Sequence, residues 1–158
     1  MNTEPISVIK DFIKNKEVVF VGIGNTLKSD DGVGCYFVEQ LSKKIKNYNV
    51  NFINAGLCLE NYLSKILKLE PEVVIFVDAY RSIETCHPCL LLEKNEIQNI
   101  TFSTHNISLT TIIEFLEKEL DNTQFFVLAI KPQSLKIGTK ISKETKKLVD
   151  TMIEGVLR

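Results

Sequence analysis

The chain reads as a three-layer α/β fold. It has a mostly parallel five-stranded sheet, one antiparallel member and helices on both faces. Three observations predict it. The stretch Val18 to Gly34, VVFVGIGNTLKSDDGVG, runs apolar strand, glycine turn and amphipathic helix in that order. Two further apolar runs, residues 73–77 and 124–130, have the unbroken hydrophobicity of strands buried on both sides. Between the strands lie segments with apolar residues at i, i+3 and i+4, the spacing of one helix face.

In order, Thr3-Glu4-Pro5 offers a cap, an early acid and a first-turn proline, opening a helix to about residue 14 with Ile6, Ile9, Phe12 and Ile13 on one face. Strand one is expected at 17–22. A helix follows over about 31–46, burying Val33, Phe37, Leu41 and Ile45, with Glu39 and Lys43 paired on the wet face. Residues 49–54 half-alternate, which suits a strand nearer the edge. Leu59, Tyr62, Leu63, Ile66 and Leu67 mark a helix stopped before Pro71. The central strand 73–77 is expected to end at Asp78, with a loop over 79–89. Leu90 to Leu92 begin a strand too close to the last for a crossover helix, hence the antiparallel member. Ser103-Thr104-His105-Asn106 is expected to open a helix burying Leu109, Ile112, Ile113, Leu116 and Leu120. The last strand, 124–130, stops at Lys131-Pro132, and a closing helix runs from about Ser142 through Leu148, Met152, Ile153 and Val156. No linker or repeat interrupts residues 1–158, so one domain is expected, with residues 1–15 as an added N-terminal helix.

Composition narrows the function classes. With 158 residues, 44% hydrophobic and 25% charged, the chain has the makeup of an ordinary globular domain. A net charge of −1, and 19 basic residues that are all Lys except Arg81 and Arg158, disfavour nucleic-acid binding. No apolar run approaches the ~20 residues that span a bilayer. The N-terminus lacks a signal peptide's apolar core, so the four cysteines are expected as thiols in the cytoplasm, and a monomer is the simplest state.

The loop after strand one decides what kind of ligand the sheet could take. A dinucleotide fingerprint wants glycine where Leu27 stands, and Asp30 and Asp31 put negative charge where a pyrophosphate would seek bare amides. No P-loop Gly-Lys-Ser/Thr and no Gly-x-Ser-x-Gly elbow is present. The acids suit a cation instead. Asp31 follows strand one, Asp78 ends the central strand and His105 opens a helix that could reach the same rim. Two carboxylates and one imidazole can fill three positions of a transition-metal site and leave others open. Asp30 or Asn25 could then hold a ligand in place. The spacing alone equally allows Asp30 and Asp31 as helix-capping acids, Asp78 as a turn cap and His105 as a surface residue. Cys86-His87-Pro88-Cys89 could bind zinc or act in redox chemistry, but with no second pair it suits packing beside a loop better.

Gly22-Ile-Gly-Asn-Thr-Leu-Lys-Ser-Asp-Asp-Gly-Val-Gly34, followed by Val74-Ile-Phe-Val-Asp-Ala79, Ser103-Thr-His-Asn-Ile-Ser-Leu109 and Leu128-Ala-Ile-Lys-Pro132, resembles the hydrogenase maturation endopeptidases. These aspartyl-type hydrolases remove a C-terminal peptide from the large-subunit precursor of [NiFe] hydrogenases. The resemblance spans about residues 17–157. It implies that Asp31, Asp78 and His105 contact nickel, that the nickel arrives already bound to the precursor, and that Asp31 or Asp78 is catalytic. Two features depart from the family pattern. Asn54-Ala55-Gly56 stands where Asp-Gly-Gly is usual, and the leading helix has no counterpart. The alternatives are a non-enzymatic, metal-dependent assembly chaperone and a small-molecule binding domain on the same fold.

Overall fold

The computed structural model describes residues 4–81, 87–97, 100–102 and 108–158. Its elements are α1 (Pro5–Asn15), β1 (Val18–Ile23), α2 (Val33–Lys44), β2 (Val50–Gly56), α3 (Leu63–Leu69), β3 (Val73–Arg81), β4 (Cys89–Glu93), β5 (Thr101–Phe102), α4 (Leu109–Glu119), β6 (Gln124–Ile130) and α5 (Lys143–Leu157). Single 3-10 turns at Ser29–Gly32 and Leu59–Tyr62 lead into α2 and α3.

The strand order is β2-β1-β3-β6-β4. The β1–β2, β1–β3 and β3–β6 pairs are parallel, and β4 runs antiparallel to β6. This is the expected five-strand path with its antiparallel member at one edge and β2 at the other. Alternate residues of the central strands enter two separate cores, which is why those strands are apolar throughout. Phe20, Ile75, Val77 and Leu128 pack with α1, α2 and α5, while Val21, Val74, Phe76 and Val127 pack with α3 and α4. Helices therefore cover both faces. The leading helix is part of the first core: Ile9, Phe12 and Ile13 are buried, and the Phe12 and Phe126 rings lie 5.0 Å apart.

Three expectations change. The central strand does not end at Asp78. It continues to Arg81, because Asp78 and Ala79 find partners in Ala129 and Ile130 of β6, and Tyr80 and Arg81 pair with the short strand β5. That two-residue strand had no sequence signal beyond Thr101-Phe102. Residues 31 and 32 belong to the 3-10 turn, and the α-helix starts at Val33. The third long helix starts at Leu109, where the Ser108 hydroxyl accepts the Thr111 N–H (3.2 Å), and not at Ser103. Residues 103–107, His105 among them, and the cap residue Thr3 lie outside the described residues.

Candidate active site

A parallel sheet with order 2-1-3 reverses direction between β1 and β3, and the crevice at the carboxyl ends of those two strands is where such folds bind ligands. Both candidate acids are there. Asp31 sits on the 3-10 turn that follows β1. Asp78 lies in β3, one residue past the Gly22–Val77 pair that closes the β1–β3 ladder. Both are fully buried, at 0% exposure.

Glycines bring the two acids' carriers together. A Cβ on Gly34 would stand 2.0 Å from the Val77 carbonyl oxygen and 2.4 Å from that of Ile23, so the first turn of α2 rests directly on the ends of β3 and β1. Gly24, at φ +143°, turns the chain so tightly that a Cβ there would meet the Asp31 carbonyl at 1.9 Å. No other residue type fits either position. Asp31 is then oriented by the backbone: the Asn25 N–H donates to its Oδ2 (3.2 Å). The Ala79 N–H donates to Asp78 Oδ1 (2.8 Å).

Cys35, one helical turn after Asp31, reports the charge at this end of the sheet. Its thiol is buried and pushed up to about 11, first by burial and then by the nearby carboxylates of Asp78 and Asp31, against the opposing bond from the Gly56 backbone. One buried group thus feels both acids. The thiol lies 3.7 Å from the Gly24 carbonyl, to which it donates.

Asp30 does something else. Its Oδ2 accepts the Gln133 and Ser134 amides (2.8 and 3.1 Å) and the Ser142 and Thr145 hydroxyls (2.9 and 2.8 Å), and its Oδ1 accepts the Ser142 amide (2.7 Å). Burial would raise its pKa, but the bonds from Ser142, Thr145 and Gln133 outweigh it and hold the carboxyl below the usual range. Asp30 therefore anchors the 133–142 loop and the start of α5 to the turn that carries Asp31. Of the two residues expected to steady the candidate ligand Asp31, Asn25 bonds to it directly through its backbone N–H.

Of the three predicted metal contacts, the structure brings Asp31 and Asp78 to one rim; His105 falls outside the described residues. Among the described residues, no group of three or more His, Cys, Asp or Glu side chains could hold a metal ion. The pair supplies two anionic oxygen donors, able to join an ion that brings further ligands of its own. Cys89 is half-buried on β4 and packs against the first core, while its potential partner Cys86 is outside the described residues.

A family model for HycI, hydrogenase maturation protease, matches residues 35–158. The chain belongs to the hydrogenase maturation protease family. The matched segment begins just after the glycine-acid turn and includes Asp78 and the whole of α4, β6 and α5. Two Methanocaldococcus jannaschii proteins, each provisionally named a hydrogenase maturation protease, are similar along nearly the full length. One is 32% identical, covering 93% of both chains; the other is 31% identical, covering 92% of this chain and 97% of its own. The fold of the crystallised [NiFe] hydrogenase maturation protease HycI from Thermococcus kodakarensis superposes with a TM-score of 0.79 at 23% identity, over 96% of this chain and 99% of that one. Among the described residues, no helix is long and apolar enough to cross a membrane.

Proposed function

We propose that the protein is an endopeptidase that removes the C-terminal peptide of a [NiFe] hydrogenase large-subunit precursor once nickel has been inserted. The observation that carries this reading is the placement of two fully buried acids, Asp31 and Asp78, at the β1/β3 switch point, where both bear on one thiol. Nickel belongs to the substrate. The precursor's thiolates hold it, and Asp31, Asp78 and His105 complete its coordination. An open, acid-rich half-site binds free metal weakly, and it gains affinity when the substrate supplies the remaining ligands. Docking therefore doubles as a test of loading.

Bound in this way, the scissile peptide faces a carboxylate and a water. Asp31 or Asp78 takes a proton from the water, and the oxygen adds to the carbonyl carbon. The proton passes to the leaving nitrogen, the C–N bond breaks, and a carboxylate and an amine separate. The protein acts as a monomer in the cytoplasm.

Incubating nickel-loaded precursor with the protein is expected to shorten the precursor by its tail, read as a mass shift, while metal-free precursor stays intact. Asp31→Asn and Asp78→Asn are each expected to slow cleavage at least a hundredfold, the scale of a lost general base. Undiminished cleavage by both variants would remove the acids from the mechanism. A stable complex without any cleavage by the wild type would mark a metal-dependent assembly protein instead.

A further inference from the structure

Beside the two acids lies a groove of about 250 Å³ that the reading above leaves without a role. Its walls are Thr26, Ser29 and Gly32 from the turn, Cys35 and Tyr36 from α2, Asn54 from β2, and Ile141 before α5. Lys140, Lys146 and Glu39 are its charged lining residues. Glu39 is already engaged by Lys43 at 3.1 Å. Lys146 lies over the Tyr36 ring at 5.9 Å, and among the described residues neither Lys140 nor Lys146 has an ion pair.

The surrounding charge is one-sided. Residues 131–147 carry six lysines and a single acid, Glu144, in a chain whose net charge is −1. The fold concentrates this segment at the groove: Ser29 N–H donates to the Thr139 carbonyl (2.8 Å), Gly138 N–H to that of Leu27 (2.8 Å), and Asp30 ties down the rest. The Gly138–Leu27 bond joins two loops that each expose an apolar side chain, Leu27 and Ile137. Two lysines and the hydroxyl and amide groups of Thr26, Ser29 and Asn54 in the lining, with exposed apolar side chains on the adjoining loops, suit an extended peptide that carries carboxylates and an occasional aliphatic residue. Phosphate ladders fit worse, because the segment offers no Arg for bidentate contact.

We propose that this groove seats an acidic segment of the precursor protein, next to the bond to be cut, with Lys140 and Lys146 taking its carboxylates. This rests on the endopeptidase reading for the partner's identity, while the groove's preference for acidic peptide can be measured without any cleavage. The probe is a fluorescein-labelled decapeptide rich in Glu and Val, compared with the same peptide carrying Gln for every Glu. Binding is followed by anisotropy and mapped by amide chemical shifts.

The Glu peptide is expected to shift Thr26, Asn54 and Ile141, to weaken as salt shortens the screening length from about 10 Å at 0.1 M to 3 Å at 1 M, and to outbind the Gln peptide. The double variant Lys140→Gln/Lys146→Gln is expected to lose roughly two- to thirtyfold in affinity, the scale of two exposed ion pairs. The control Lys10→Gln/Lys14→Gln in α1 is expected to bind as the wild type does. Equal binding of the two peptides, shifts confined to another surface, or a single-stranded oligonucleotide that outcompetes the Glu peptide would each overturn the assignment. If the precursor is cleaved while the Glu peptide fails to bind, the groove assignment falls and the endopeptidase reading stands. If the peptide binds as described and no precursor is cleaved, the reverse holds.

Discussion

Replacing Asp30 by Asn tests whether a single carboxylate fastens the loop that borders the site. The change is nearly isosteric. It removes the charge from a carboxylate that accepts from five donors, three amides and two hydroxyls, and turns one of its two acceptor oxygens into a donor NH2. Bonds to a charged acceptor are worth about 1.5–3 kcal/mol each. The five are far from additive, and the loop donors Gln133 and Ser134 can turn to water. A net loss of about 2–4 kcal/mol follows, which for a domain of this size lowers Tm by roughly 4–16 °C. The loss depends on pH with a definite sign. The folded pKa of Asp30 lies below its ordinary 3.8, so its contribution is complete above that value and disappears as pH falls through the folded value. Thermal melts of wild type and Asp30→Asn should therefore differ most near neutrality and converge in acid. A variant melting within about 2 °C of wild type at pH 7, or a deficit that persists unchanged in strong acid, would refute the reasoning.

Four further outcomes are expected. Gly34→Ala forces a methyl against the Val77 and Ile23 carbonyls. It should cost about 1–3 kcal/mol or more and reduce precursor cleavage by up to about a hundredfold through displacement of Asp31, measured as kcat at a temperature where the variant is folded. Phe12→Ala empties the contact with Phe126 beneath α1. It should cost about 3–5 kcal/mol by chemical denaturation while leaving cleavage per folded molecule unchanged. Cys35, with its thiol near 11, should alkylate at pH 8 at least tenfold more slowly than exposed Cys58, read by peptide mass spectrometry. Asp78→Asn should bring the Cys35 titration to lower pH, since it removes one of the charges that hold the proton on.

The layered fold was legible because both faces of the central strands are covered, and only continuous apolar runs such as VVIFV survive there. Helix faces were equally plain in the spacing of Leu109, Ile112, Ile113 and Leu116, yet the start of that helix was not: several polar residues before Leu109 can cap, and Ser108 does. Asp78 looked like a strand terminus because an acid ordinarily interrupts an apolar strand. Pairing with Ala129 on β6 carries the strand through it. Asp31 was found through its neighbours in sequence. The role of Asp30 was not, because its partners lie 103 to 115 residues away, in a segment with no periodic signal. Cys35 was expected only as one of four free thiols. Its spacing of four from Asp31 was the available clue, and only the fold shows that Asp78 bears on the same thiol.

The bonds made by Asp30 also set an order of events during synthesis. Domains begin to organise from the N-terminus as the polypeptide emerges from the ribosome. The first strand and its glycine turn are made more than a hundred residues before the groups that steady that turn, Ser142 and Thr145. That end of the sheet is therefore finished only after residues 142–145 have been made, and a nascent fragment with both acids in place still lacks the brace on the turn that carries Asp31.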